Sequence, residues 1–336
     1  MITDLSTRRP LIVDDISRRT MLGALGIAGA LMLAGCTPAQ SGSAKATRTV
    51  KTPQGEYEVP ADPERVVCID YYSGIFLTEL GMKPVGGIDY SWVDASSMYE
   101  PYVKPLKAIH SVGEITSTNT EKVAALNPDL VLGPTPGSLY DNSPGAMKKL
   151  AQVAATATID FGKTGDWRPP YEQAADEVNR LAEHDGLKKE YGDAVATLKA
   201  KRADAIAATT IASLNYSQDG NFSVDLAPSS AGVVYQDLGL TFASVARGTD
   251  SNGVSISTER LSDLADATMI VFRADTAGAP QSGLADVFAL PAWKELPAVK
   301  AGNVLPVTWI DLCGYRWAGQ AVTELDALLG ALSPVA

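Results

Sequence analysis

The most definite chemistry in this chain belongs to Cys36. It closes Leu33-Ala34-Gly35-Cys36, the pattern of a bacterial lipobox, in which the cysteine is acylated and becomes the new N-terminus. Ahead of it stands Ser17-Arg18-Arg19-Thr20-Met21-Leu22, a paired arginine leading into an apolar run that ends at Leu33. That run is too short to span a bilayer comfortably, so it reads as the apolar region of a twin-arginine export signal and not as a transmembrane helix. Residues 1–35 are therefore expected to be a signal peptide. The mature chain is expected outside the cytoplasm, tethered to the membrane through Cys36. Several acyl chains on one cysteine bury far more CH₂ than a single marginal anchor.

Few other residues have the pattern of a reactive centre. There is no Gly-x-Ser-x-Gly turn, and Gly253-Val254-Ser255-Ile256-Ser257 lacks the final glycine. Neither His110 nor His184 has a partnered nucleophile pattern, so no catalytic residue is assigned; a lipid-anchored exported enzyme stays as the alternative from another class. Capture of a bare zinc or manganese ion needs several histidines and carboxylates converging, and two histidines in unrelated contexts do not offer that. No protein metal site is expected. Cys68, in Val66-Val67-Cys68-Ile69, reads as a small buried hydrophobe. Cys313 sits in Asp311-Leu312-Cys313-Gly314; an exported protein could pair the two, and sequence supplies no geometry to decide.

The chain of 336 residues carries a formal charge of −11, and removing residues 1–35, with four Arg and three Asp, makes it −12. An acidic chain without a basic run argues against nucleic acid and against electrostatic binding to anionic lipid. Three hundred residues suit two lobes better than one small core. Residues 36–52 are rich in Ser, Thr, Ala, Gly and Pro and read as a flexible tether. Short apolar, strand-like runs then alternate with helical stretches, at 65–69, 84–88, 129–132 and 157–159, and again at 211–214, 268–272 and 303–307. Each is followed by Gly, Pro, Asp or Ser, as strands buried in a mostly parallel sheet tend to be. This gives an α/β architecture with lobes at 53–186 and 209–336. Between them Leu187, Tyr191, Val195, Leu198 and Ala205 recur at spacings mostly of three or four, which predicts a linking helix over 187–208. Such a connector would let the halves rock slightly and would not let them clamp widely.

A faint internal repeat links the halves. Glu121-Lys122-Val123-Ala124-Ala125-Leu126, with the strand after Asp129, resembles Glu259-Arg260-Leu261-Ser262-Asp263-Leu264, with the strand after Ala267. Each copy puts a glutamate on the exposed first turn of a short helix whose apolar face feeds a buried strand, a placement the helix dipole favours.

Across some 270 residues the chain resembles the substrate-binding lipoproteins of bacterial ABC importers that take ferric siderophores, haem or cobalamin. The matching elements are Val59-Pro60-Ala61-Asp62-Pro63-Glu64-Arg65-Val66-Val67, Leu80-Gly81-Met82-Lys83-Pro84-Val85-Gly86, Asn119-Thr120-Glu121 through Pro128-Asp129-Leu130-Val131, and Trp293-Lys294-Glu295-Leu296-Pro297-Ala298-Val299-Lys300-Ala301-Gly302-Asn303-Val304. The resemblance implies two Rossmann-like lobes joined by one long helix, with the ligand in a shallow cleft between them. It also implies that Glu121 and Glu259, one per lobe tip, dock into arginine pockets of a permease dimer.

In α/β sheets ligands meet the loops at strand carboxyl ends. In the first lobe those loops carry Asp70, Tyr71 and Tyr72, then Asp89, Tyr90 and Trp92, then Gly133-Pro134-Thr135-Pro136-Gly137. In the second they carry Tyr216, Arg247, Arg273 and the group Trp309, Tyr315, Arg316 and Trp317. Rigid aromatics with arginines suit a bulky, flat-faced iron complex, the rings packing on chelate arms and the guanidinium groups bonding its oxygens. The expected ligand is a ferric siderophore already saturated by its chelator, with no separate cofactor and with the protein a monomer. Haem, which needs an axial ligand, and cobalamin, whose family sites are mainly aromatic, remain alternatives within the same resemblance. The acidic chain, and a first-lobe edge with aromatics and no nearby arginine, favour a hydroxamate over a catecholate or carboxylate chelate.

Overall fold

The chain is already in a strand at Thr47. The structure, a computed structural model, describes residues 46–53, 55–95, 98–138 and 140–335. The signal of residues 1–35, lipidation at Cys36 and the start of the tether lie outside the described residues. Residues 47–52, expected to belong to the tether, form a strand instead. β1 (Thr47–Thr52) pairs antiparallel with β2 (Gly55–Pro60), Val50 and Val59 are buried, and Arg48 reaches Asp176 at 3.1 Å. A polar, alternating segment is held here by one buried face and one ion pair, a signal that composition alone hides.

The first lobe continues through β3 (Val66–Cys68), α1 (Tyr71–Glu79), β4 (Gly86–Gly87), α2 (Glu100–Lys107), the small hairpin β5 (Gly113–Glu114) and β6 (Ser117–Thr118), α3 (Thr120–Ala125), β7 (Leu130–Pro134), α4 (Ala146–Leu150), β8 (Ala155–Ile159) and α5 (Arg168–Glu177). Its sheet has the order β4-β3-β7-β8, every pairing parallel. β3 and β7 are buried throughout, as strands covered on both faces must be. The strand expected over 84–88 shrinks to Gly86–Gly87. A Cβ at Gly86 would sit 2.5 Å from Leu126, so close packing and not a side-chain run holds that edge.

The linking helix, α6 (Leu181–Lys201), starts six residues before the expected 187 and stops at Arg202, where α7 (Ala203–Ala208) takes over at a changed angle. Gly186 faces open space and costs only about 1 kcal/mol inside a helix whose buried face is His184, Leu187, Tyr191, Val195 and Leu198. At 21 residues α6 is roughly 30 Å long, enough to run along both lobes.

The second lobe holds β9 (Thr210–Gln218), β10 (Asn221–Asp225), α8 (Gly232–Leu238), β11 (Thr241–Phe242), β12 (Gly253–Ser257), a 3-10 run over Thr258–Leu264, β13 (Met269–Arg273), α9 (Leu284–Ala289), α10 (Pro291–Lys294), α11 (Pro297–Lys300), β14 (Val304–Val307) and α12 (Tyr315–Ala331). The order is β12-β10-β9-β13-β14, with β11 beside the start of β9. β9, β13 and β14 are the expected parallel strands, while β10 and β12 add an antiparallel edge. Both added strands are interrupted by Asn, Ser or Asp, which removed their apolar signature. The Gly253–Ser257 segment is thus an edge strand and not a nucleophile turn. Among the described residues no helix is long and apolar enough to cross a membrane.

One continuous core crosses from lobe to lobe. Phe76 stacks on Tyr171 at 4.6 Å, Tyr171 on Tyr315 at 5.6 Å, and the Trp167 ring meets Tyr315 edge-on at 5.0 Å. Beside this stack the buried Glu79 carboxylate accepts the Tyr315 backbone N–H at 2.9 Å, the Arg316 N–H, and the Tyr102 hydroxyl. A first-lobe side chain therefore caps the N-terminus of α12 in the second lobe, in place of Gly314, which has no side chain to do so. Burial pushes the Glu79 carboxyl up, against the pull of these hydrogen bonds.

Candidate functional site

At the carboxyl end of β3 the chain turns into α1 at Asp70. Its buried carboxylate caps the helix, accepting from the N–H groups of Tyr72 at 2.8 Å and Ser73 at 2.7 Å. Burial pushes this carboxyl up to about 6 in spite of the caps. The turn throws Tyr71 and Tyr72 to the lobe edge. Tyr71, half-buried, stacks on Trp92 with centroids 5.8 Å apart and planes 15° apart, and meets Tyr72 edge-on at 5.0 Å. Trp92 is 51% exposed and its indole N–H is held by the Asp89 carbonyl at 2.9 Å. Tyr72 donates to the Tyr140 hydroxyl at 3.1 Å and packs on Phe161 at 5.5 Å. Trp92, Tyr71, Tyr72, Tyr140 and Phe161 thus form one aromatic wall.

The second-lobe edge is polar. Arg273, the last residue of β13, has its guanidinium against the Asp311 carboxylate, and its Nε donates to Asn215 Oδ1 at 2.8 Å. The Asn215 amide nitrogen in turn bonds Asp225 at 3.2 Å and approaches Asp311 at 3.4 Å. Ser213 donates to Asp225 at 2.7 Å. Burial pushes the Asp225 carboxyl up to about 6 and, partially, pulls the Arg273 guanidinium below the ordinary arginine range; the Asp225 charge and Tyr71 oppose the latter. Arg273 at the end of β13 and Tyr71 just after β3 both stand at the carboxyl ends of parallel strands. Tyr216, next along β9, is 45% exposed, and the two-residue strand period turns it to the other face from Asn215.

The fold brings Tyr71, Tyr72 and Trp92 into contact and sets Arg273 at the end of β13, and it places the other expected ligand contacts apart from this ring contact. Tyr90 is 2% exposed and lies behind the wall, its hydroxyl donating to the Tyr71 carbonyl at 3.2 Å; a Cβ at Gly74 would collide with it. Trp309 is fully buried, bonded through its indole N–H to Glu324 and packed on Tyr235 at 6.0 Å. Tyr315 and Trp317 are core residues on the buried side of α12. Arg316 is exposed and opens onto a separate hollow of about 240 Å³ beside Tyr99, Glu190 and Tyr191. Arg247 is exposed and bonds the Phe242 carbonyl, near Ile211 at the start of β9, four residues before the Asn215 that meets Arg273. Burial withdraws Tyr90, Trp309, Tyr315 and Trp317, whereas Arg316 and Arg247 stay exposed, the first at the separate hollow and the second against the Phe242 carbonyl.

Asn215, Asp225, Asp311, Tyr140 and Phe161 escaped the sequence reading. Asn215 and Asp311 stand beside residues the strand-end rule did select, so attention to amides and carboxylates there would have found them. Cys68 and Cys313 are both free thiols, buried, and burial raises their pKa values, which corrects any disulfide between them. His110 is exposed and His184 lies inside α6 with its Nδ1 3.0 Å from Asp185. Among the described residues no group of three or more His, Cys, Asp or Glu is placed to hold a metal ion.

The repeated glutamates occupy matched settings. Asn119 caps α3 by accepting from Lys122 N–H at 3.0 Å, and Ser257 caps the 3-10 run by accepting from Glu259 N–H at 3.3 Å. Glu121 and Glu259 each stand two residues after the cap, exposed, with Val123 and Leu261 buried two residues later.

Comparison with known proteins agrees with this geometry. The chain is 26% identical over 317 residues to a probable siderophore-binding lipoprotein, YfiY, of Bacillus subtilis, covering 88% of this chain and 93% of that protein. It is 29% identical over 299 residues to the iron(3+)-hydroxamate-binding protein FhuD of the same organism, covering 84% and 87%. A siderophore periplasmic binding protein from the fuscachelin gene cluster of Thermobifida fusca superposes with a TM-score of 0.68 at 24% identity, over 81% of this chain and 98% of that one. Staphylococcus aureus SirA complexed with staphyloferrin B gives 0.66 at 23% identity, over 84% and 99%. These structures share the fold, two α/β lobes joined by a long helix. The sequence profile of the periplasmic binding protein family matches residues 66–307, most of the chain, and the chain belongs to that family.

Proposed function

We propose that this chain is the extracytoplasmic substrate-binding lipoprotein of an ABC importer, capturing a ferric siderophore of the hydroxamate type and delivering it to a permease dimer. The observation that carries the reading is the aromatic wall of Trp92, Tyr71, Tyr72 and Tyr140 at the first lobe's strand ends, with the charge-balanced Arg273 at the end of β13 in the second. Offset rings bind a bulky chelate through its apolar arms, and a neutralised guanidinium offers little to a multiply anionic one. The names of the relatives support binding without turnover, and the importer context supports the roles of Glu121 and Glu259 as permease contacts. The iron arrives saturated by its chelator, so no protein cofactor is required.

The test is a tryptophan-emission titration with ferric trihydroxamates, tricatecholates and citrate, with haem and cobalamin alongside. Submicromolar quenching by a hydroxamate is expected, and Trp92→Ala should weaken it about tenfold, the worth of one stacked aromatic anchor. A win for haem or cobalamin, or no quenching by any ferric chelate, overturns the siderophore reading. Mass spectrometry of membrane-extracted protein should show an acylated Cys36 as N-terminus, and size-exclusion should show a monomer.

A further inference from the structure

We propose that Asp311 determines the charge class of the ligand: by holding Arg273 neutralised at the cleft edge it makes the site discriminate against anionic ferric chelates. The proposal rests on the siderophore-receptor reading above. Arg273 is the cation at the carboxyl end of β13, and two of its three guanidinium nitrogens are already bonded. One nitrogen meets Asp311 and another donates to Asn215 Oδ1 at 2.8 Å. Asn215 is itself fixed from behind by Asp225 at 3.2 Å, and Asp225 by Ser213 at 2.7 Å. The network leaves the arginine no slack to swing toward a ligand without abandoning two partners.

Exposure sets which sign the ligand meets. The Asp311 side chain is 49% exposed and that of Arg273 28%, so the carboxylate is the more open of the two to solvent. Asp225 adds a second carboxylate behind, in contact with Asn215 and felt by Arg273. An arginine placed to grip an oxyanion normally presents a free, bidentate face. Here one nitrogen of that face, Nη2, is taken by the protein's own oxyanion. Asp311 occupies the place a chelate carboxylate or catecholate oxygen would take, and repels a trianionic complex while tolerating a neutral or cationic trihydroxamate.

The experiment compares wild type, Asp311→Asn and the double variant Asp311→Asn/Arg273→Gln. The probes are a ferric trihydroxamate bearing a free amine, a ferric tricatecholate and ferric citrate, read by tryptophan quenching. Asp311→Asn keeps the size and the hydrogen-bonding reach of the side chain, and should raise affinity for the anionic chelates about tenfold or more, the worth of one released charge-assisted contact. Affinity for the cationic hydroxamate should fall a few-fold. The double variant should lose the gain, since the gain requires Arg273. Wild type alone supplies an independent reading: its affinity for the cationic chelate should fall as salt rises. An unchanged hydroxamate-to-catecholate ratio in Asp311→Asn, a gain that survives loss of Arg273, or a wild type that already prefers the anionic chelates overturns the role of Asp311 and leaves the siderophore reading standing. A wild type that binds no ferric chelate overturns both.

Discussion

Replacing Glu79 with alanine should unfasten the two lobes. The carboxylate is 5% exposed and satisfies three donors at once: the first two amides of α12 and the Tyr102 hydroxyl. Alanine leaves all three buried and unpaired, and an orphaned buried donor costs about 1–3 kcal/mol. Loss of an N-cap costs about 0.5–2 kcal/mol, which overlaps with the first two terms and is not added to them. Water entering the vacated space recovers part of the loss, so a net destabilisation of about 3 kcal/mol is expected, or roughly 5–10 °C in melting temperature for a chain of this size. Glutamine should fall between the two, because its Oε1 still accepts while its amide faces groups that also donate. The assay is urea denaturation followed by tryptophan emission and by far-ultraviolet circular dichroism. Since Glu79 joins lobes, the two probes should separate in the alanine variant while coinciding in wild type. A variant within 1 kcal/mol of wild type, with coincident probes, would show that α12 is capped by something other than Glu79 and refute the argument.

Three other outcomes follow from the same network of contacts. Glu177 is fully buried with only Gln173 bonding it, and burial, opposed by Gln173 and aided by Asp176, pushes its carboxyl up to about 8; a carboxyl raised in the folded state gives stability that is complete below the unfolded value near 4.5 and is lost as pH rises through about 8, so Glu177→Gln should stabilise by a kcal/mol or more at pH 9 and by almost nothing at pH 4, in thermal melts across that range. Arg168 in α5 binds Asp237 in α8 at 2.8 Å, and Arg168→Ala should cost about 1–2 kcal/mol in urea denaturation and speed amide exchange in α8, whereas unchanged exchange there would count against an interlobe clasp. Charge reversal at both Glu121 and Glu259 should block uptake in cells yet leave purified-protein affinity within about threefold, since exposed charges remote from the cleft are worth under about 1 kcal/mol, and a large affinity loss would reassign them to the ligand.

The parts of the fold that rest on repeated apolar spacing were legible from sequence. Buried parallel strands such as β3, β7 and β13 announce themselves as short apolar runs, and the face of α6 shows in Leu187, Tyr191, Val195 and Leu198. What failed to show was held by partners distant in the chain. β1 depends on Asp176 and β2, β10 on Ser213 and β12, and the true start of α6 on tertiary burial of His184. For the site, the strand-end rule points to loops, and residue type alone does not tell which of their side chains are buried. Trp309 and Trp317 are large enough to be valuable in either core or cleft, and only packing distinguishes the two. The carboxylate and amide of Asp311 and Asn215 were passed over because a short polar side chain gives no hint of which cation it will neutralise.

The interlobe contacts bear directly on how such a cleft works. Two lobes that hinge freely must spend part of the ligand's binding energy on closure. Here Glu79 caps α12, Arg168 grips Asp237, the Trp167 indole donates to the Ser230 carbonyl at 3.2 Å, and Tyr171 and Tyr315 stack in the shared core. Each link joins a first-lobe element to a second-lobe one, and wide opening would break several buried hydrogen bonds together. A side chain at Gly165 would meet the Ser230 backbone at 2.8 Å, so even the spacing of the two lobes is set by close backbone approach. The aromatic wall and the Arg273–Asp311 pair thus belong to lobes that are clasped together without any ligand. Under the proposed function, selectivity in lobes so clasped would rest on what the site presents, rings and a paired arginine, more than on a closing motion that a poor ligand fails to trigger.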